Sequence, residues 1–315
     1  MQHAIYAPTI REYSDVKKLV ALAQEAERAG YDGFFIWDVL FMERGVPAAD
    51  STVALAALAL ATKRIRLGAM VTPVARRRPW KLAKELATLD HLSGGRMVLG
   101  IGLGEPADLE YANVGDDATA KGRAERLDEG LSILDSLLRG KETNFTGKHH
   151  RLTNVMAVPA CHQTPRVPIW VGASLPANAG IRRSTRWEGL FPISLPAEPV
   201  MREDGSFDTA QMWLSPEKFG EIVTRTLDLR NEERRDKTNS PFDLIASGNT
   251  SADAPTAVRD KLSGYAASGA TWWFEWLDDR AGLYTMQPWN LYAGDRLVKR
   301  DARCSCTTSN RYSDA

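Results

Sequence analysis

Residues 65–101 read IRLGAMVTPVARRRPWKLAKELATLDHLSGGRMVLGI, one complete unit of a pattern that repeats along the chain. Ile65 to Val71 is rich in β-formers and too short for a helix, and Thr72-Pro73 ends it. Pro79 suits a first helical turn, where its missing N–H costs nothing. Trp80, Ala83, Leu86 and Ala87 then line one face of a helix running to Leu89, and Ser93-Gly94-Gly95 breaks it. Met97 to Ile101 is apolar and short again, a second strand.

The same alternation extends in both directions. Ala4 to Ala7 and Gly33 to Trp37 read as strands. Between them the apolar positions Val16, Leu19, Val20, Ala23 and Ala26 recur at three and four, giving a helix over 15–29 with Ser14 expected as its cap and Gly30 as its left-handed stop. Asp50 or Ser51 opens the next helix, through Ala61. Strands therefore begin near residues 4, 33, 65 and 97, and a unit of about thirty residues is that of a parallel βα crossover. A helix over 123–138 follows, then strands at Pro168–Val171, Gly189–Pro192, Phe242–Ala246 and Thr271–Trp276, with helices near 179–185, 216–232 and 255–267 between them. Eight strands alternating with helices predict an α/β fold, a (β/α)8 TIM barrel with insertions after several strands, as one domain over 1–295. Leu103–Arg123, Thr143–Arg166 and Ser194–Ser215 exceed ordinary loop lengths and mark the insertions. The polar tail 296–315 has no apolar period and is expected to be disordered.

Composition narrows the function. Of 315 residues 43% are hydrophobic, and 40 basic side chains balance 40 acidic ones. A net charge of zero argues against a nucleic-acid partner, which needs a local excess of Lys and Arg. No stretch approaches the ~20 apolar residues of a membrane span, and three scattered cysteines form no disulfide framework, so the expectation is a protein of the reducing cytoplasm without membrane attachment. Cys304-Ser305-Cys306 lacks the second pair or the histidines that a metal site requires, so no metal is expected.

In a parallel barrel, function resides at the carboxyl ends of the strands. The strand assignments nominate Tyr6 and Pro8; Trp37 and Asp38; Thr72; Gly102, Gly104 and Glu105; Gly172, Ala173 and Ser174; Ser194; Ser247 and Asn249; and Glu275 and Trp276. Gly100-Ile101-Gly102-Leu103-Gly104 leaves backbone open to close approach, but its spacing is not that of a dinucleotide fingerprint, and tight-turn or packing glycines explain it equally well. Ser174, followed by Arg182 and Arg183, suits a phosphate group, or is a strand end with two solvated arginines. Arg76-Arg77-Arg78 either draws an anion towards the mouth or forms salt bridges. Asp38, Glu105 and Glu275 are candidates for paired acid–base work of the hydrolase kind, and Trp37, Trp272, Trp273 and Trp276 for stacking, with Trp272 and Trp276 on one strand face and Trp273 on the other.

Residues 54–104, ALAALALATKRIRLGAMVTPVARRRPWKLAKELATLDHLSGGRMVLGIGLG, together with AQEAERAGYDGFFIWD before them and VPIWVGAS and RWEGLFPIS after them, resemble the luciferase-like flavin-dependent oxidoreductases, which include bacterial luciferase-type monooxygenases and F420-dependent enzymes. The resemblance implies a barrel that holds FMN or F420 at its mouth, acts on a small organic substrate and forms a homodimer, with a flavin reductase as partner if FMN is used. Carried over by position, Thr72 and its strand neighbours lie against the ring, Gly102 and Gly104 leave room near it, and Gly172, Ala173 and Ser174 contribute to the phosphate site. Trp37 and Asp38 are the catalytic candidates. Many members have His directly after that Asp, whereas here Val39 follows, and an aliphatic side chain transfers no proton. The expected function is an FMN-dependent monooxygenase. The alternatives are an F420-dependent hydride transfer, a flavin- or partner-binding barrel without turnover, and a carboxylate-based hydrolase.

Overall fold

Eight parallel strands close into a barrel in the computed structural model, which describes residues 1–42, 44–195, 209–233, 241–250 and 254–277. In chain order the elements are β1 (Gln2–Ala7), α1 (Val16–Ala29), β2 (Gly33–Ile36), α2 (Ser51–Ala61), β3 (Arg66–Pro73), α3 (Pro79–Ser93), β4 (Met97–Gly102), α4 (Ala107–Glu110), α5 (Ala120–Leu138), β5 (Thr143–Thr146), β6 (Arg151–Val155), β7 (Ile169–Leu175), α6 (Ala179–Ser184), β8 (Gly189–Ser194), α7 (Pro216–Glu233), β9 (Asp243–Gly248), α8 (Pro255–Ala267) and β10 (Trp272–Trp276). Around the barrel the order is β1-β10-β9-β8-β7-β4-β3-β2, with β1 hydrogen-bonded to both β10 and β2. The tail 296–315 and its Cys304 and Cys306 lie outside the described residues, as does most of the insertion after β8.

Local signals act as expected, with two corrections. Gly30 adopts φ 89° and stops α1, but its cap is Asp15, whose Oδ1 accepts from the Lys17 N–H at 2.9 Å; the Ser14 hydroxyl instead donates to the Arg11 carbonyl at 2.7 Å. The insertion between α5 and β7 is not irregular: β5 and β6 pair antiparallel as a hairpin beside the barrel. Three backbone N–H groups there, of Lys148, His149 and His150, donate to the Glu129 carboxylate of α5 and dock the hairpin.

Strand alternation divides the core. Outward residues such as Ile5, Phe34, Leu67, Leu99, Ile101 and Ile169 pack under the helices, while Tyr6, Phe35, Trp170, Phe191, Trp272, Phe274 and Trp276 fill the lumen. Phe35 stacks on Phe274 at 4.6 Å and on Trp170 at 5.4 Å. This is the layered, side-chain-filled interior of a barrel rather than a pore.

Among the described barrel strands the alternation fails in β3. Ala69 pairs with Leu99 but Thr72 pairs with Ile101, so β3 carries one extra residue there, and the Met70–Val71 peptide is cis. Met70 and Val71 both join the lumen cluster. Thr72 shares the register of Ile101, whose side chain lies in the outer core. Side-chain-free positions on the neighbouring strands make this bulge possible. A Cβ on Gly102 would collide with Val71 Cγ2, one on Gly172 would lie 2.6 Å from Val71 Cγ1, and one on Gly100 would lie 2.6 Å from the Met70 sulfur. Gly102→Ala is therefore expected to lower stability by about 1–3 kcal/mol through overpacking, and Val71→Ala in the same chain to recover most of the loss. Thermal melts of the two single variants and the double variant check this, since steric conflict with Val71 requires the double variant to melt above Gly102→Ala alone.

Candidate active site

The bulge, the strand ends and three loops make the barrel mouth. Its floor is aromatic: the Tyr6 ring meets Trp276 edge-on at 5.0 Å and Phe191 at 5.8 Å, and its hydroxyl donates to the Met70 carbonyl inside the bulge. Burial pushes that phenol far above its ordinary range, so it stays a protonated donor. Above it, Trp37 and Trp276 stand edge to face at 6.0 Å, and Trp213, from the segment preceding α7, meets Trp276 at 6.5 Å.

Asp38, directly after Trp37, is buried, and both of its oxygens face guanidinium groups. Arg76 Nη2 donates to Oδ1, and Arg77 Nη2 donates to Oδ2 at 2.7 Å. Arg76 also pairs with the buried Glu110 of α4, whose other oxygen accepts from the backbone N–H groups of Leu40 at 2.7 Å and Phe41 at 2.8 Å. Burial draws the Arg76 guanidinium below its ordinary value and Asp38 pulls it back up. The network ties together the loops that follow β2, β3 and β4. Arg76 and Arg77 are thus internal braces, not a lure for anions.

The other carboxylate candidates are bound into separate networks. Glu105 accepts from Arg123 Nη1 at 3.0 Å and from the Ala107 N–H at 2.9 Å. Glu275 accepts from the Thr250 N–H at 2.6 Å, the Thr250 hydroxyl at 3.0 Å and Trp273 Nε1 at 2.8 Å; burial raises its carboxyl above the ordinary value against those three donors. None of the three is left as one half of an open acid–base pair, which removes the geometric basis of a hydrolase.

The remaining candidates sort by strand face. Gly102 and Gly172 lie on the lumen side, but the room beside them is taken by Val71. Gly104 turns the chain at φ 82° beneath Tyr111, and its carbonyl accepts from Arg123. Ala173 faces the outer core and packs under Gly180 of α6. Ser174 lies within β7, two residues beyond Gly172 on the same face, and is exposed at the rim. Arg183, paired with it in the sequence reading, is instead held by Asp128 through bonds of 2.6 and 3.0 Å. Trp272 and Trp276 share the lumen while Trp273 packs outside, as alternation requires.

The family model for luciferase-like monooxygenases matches residues 2–196. The chain belongs to that family. A relative from Microbacterium testaceum, named as an F420-dependent glucose-6-phosphate dehydrogenase, is 34% identical over 48% of this chain and 45% of its own length. The chain spans about half the length of the first curated relatives it matches. Among solved structures, an F420-dependent secondary alcohol dehydrogenase in complex with an F420–acetone adduct superimposes with a TM-score of 0.68, covering 87% of this chain and 92% of its own at 14% identity. The oxygenating constituent of 3,6-diketocamphane monooxygenase from Pseudomonas putida, in complex with FMN, gives 0.57 over 84% and 73% at 17% identity. At these identities the two structures bear on the fold, and the fold is the luciferase-like (β/α)8 barrel. No helix of the described residues is long and apolar enough to cross a membrane.

Breaking the buried network at its centre tests its role as a brace. Arg76→Met leaves Asp38 short of one donor and Glu110 without its cation, so a loss of about 3–5 kcal/mol is expected. Hydrogen exchange should also rise at the Leu40 and Phe41 amides. A melting temperature and exchange rates equal to the parent's would refute the brace.

Proposed function

We propose that this chain is an oxidoreductase that seats FMN or F420 in the barrel mouth and acts on a small organic substrate, with FMN-dependent monooxygenation as the first reading. The observation that carries it is the β3 bulge, which sets Val71 as an aliphatic buttress against Gly172, two residues before the exposed Ser174 on the same face of β7. An apolar wall with a hydroxyl further along the rim suits a flat ring joined to a phosphate tail. Ser174, with the backbone at Gly172 and Ala173, would hold the phosphate, and Val71 with its neighbours on β3 would support the ring. The bound group supplies the redox chemistry.

The protein's part is placement and exclusion of water. The aromatic filling beneath Tyr6 closes the mouth from below. Asp38, fixed by Arg76 and Arg77, positions Trp37 and the loop at Val39. Val39 moves no proton, so proton transfer in the reaction falls to the substrate, to solvent or to groups other than this one. A second reading, hydride transfer with F420, is supported by the 34% identity to a relative named for that cofactor. With FMN, a separate reductase partner follows; with F420, none is required. Helix α2 is apolar from Val53 to Ala61, with Val53 and Leu60 about two-thirds exposed, and we propose that face as the place where two copies meet.

Titrating the protein with FMN and with F420 while following fluorescence tests the reading. One of the two is expected to bind, and Ser174→Asp is expected to weaken it by tenfold or more by setting a carboxylate against the phosphate. Unchanged affinity in that variant would misplace the phosphate, and binding of neither cofactor would end the reading.

A further inference from the structure

The mouth holds three hydrogen-bond donors that no group among the described residues uses. The indole N–H groups of Trp37, Trp213 and Trp276 are each buried and have no acceptor among the described residues. They come from three places distant in sequence, the end of β2, the segment before α7 and the end of β10, yet their rings form one cluster around Trp276, which is 5% exposed. A buried donor without a partner is costly, so three in one aromatic cluster is an arrangement that a ligand's acceptor would repair.

A second observation concerns the approach to this cluster. The loop leaving Trp37 exposes Leu40, Phe41 and Met42 in succession, at 40%, 49% and 38%, and its backbone is held in place by Glu110. An apolar lip beside an aromatic cluster favours an apolar visitor. The nearby cations do not favour an anion, because Arg76 and Arg77 are paired with Asp38, Glu110 and Glu85.

We infer that Trp37, Trp213 and Trp276 form the substrate-recognition edge of the mouth and select an apolar, uncharged organic molecule bearing one acceptor oxygen, of the ketone or aldehyde class, over a sugar phosphate. The inference rests on the reading that the mouth is the active site and adds the substrate class. The indole rings supply contact area and the N–H groups supply selection: an apolar site that hydrogen-bonds an oxygen rejects the analogue lacking it, because the donors are then left bare.

The test uses the whole protein labelled with ¹⁵N in the indole nitrogens of its nine tryptophans, with acetophenone, ethylbenzene and glucose 6-phosphate as probes and single Trp→Phe variants to assign the signals. Acetophenone is expected to move the Trp276 N–H signal and at least one of those of Trp37 and Trp213 downfield, and ethylbenzene to move none of them downfield. Trp276→Phe keeps a ring but removes the donor; it should weaken acetophenone about tenfold and change ethylbenzene by less than about twofold. The wild-type spectra stand whether or not that variant folds. Acetophenone leaving all three signals in place overturns the inference, as does glucose 6-phosphate moving them. FMN or F420 alone moving all three assigns the donors to the cofactor and overturns it too. Should neither cofactor bind while acetophenone still shifts the indoles, the cofactor reading falls and the recognition edge stands.

Discussion

One extra residue in one strand shapes the mouth of this barrel. Because β3 gains a residue between Ala69 and Thr72, Met70 and Val71 both turn into the lumen where alternation would admit one of them. Their side chains need space on the next two strands, and Gly100, Gly102 and Gly172 provide it. Their backbone needs a donor in an apolar interior, and the Tyr6 hydroxyl provides that for the Met70 carbonyl. An unpaired carbonyl here would sit among aromatic rings with no water to replace the lost bond. The glycines, the tyrosine and the bulge are therefore a single device, and each member is intelligible only in the presence of the others.

A second device fixes the loops above it. Strand ends in a parallel barrel place backbone accurately, but the loops that follow must be ordered by their own contacts. Here an Asp–Arg–Glu chain of buried charges, with Arg77 beside it, spans the loops after β2, β3 and β4. A buried ionic chain of this sort contributes little net stability compared with apolar packing, but it penalises every arrangement in which a charge loses its partner. That property suits a site rim, where the position of Trp37 and the apolar lip matters more than the depth of the energy well.

The barrel was legible in the sequence because its signals are local and repeated. Helices such as the one begun at Asp50 and the one stopped at Gly30 carry their caps within a few residues, and the barrel strands are built around short, mostly apolar runs. Trp273 opposite Trp272 and Trp276 follows from a period of two. The site was legible only as a set of strand ends. What each strand-end residue touches depends on partners distant along the chain: Arg76 meets Glu110, Arg183 meets Asp128, and Val71 meets Gly172. Thr72 and its strand neighbours were nominated together from the end of β3, and the added bulge residue puts Thr72 in register with the outward Ile101 while Met70 and Val71 join the lumen. The glycines of β4 and β7 were conspicuous, but nothing local showed that a β3 side chain, not open space, lay beside them. Trp213 drew no attention because its insertion carries no motif.

The central claim is that the bulge at Val71 and the hydroxyl of Ser174 together seat a planar redox group. A crystal structure of the protein soaked separately with FMN and with F420 tests it most directly. The account predicts density for one of them with its ring against Val71 and its phosphate within hydrogen-bond distance of Ser174. A ring bound elsewhere on the barrel, or a phosphate held by a different strand end while the mouth is filled by protein side chains, would contradict it.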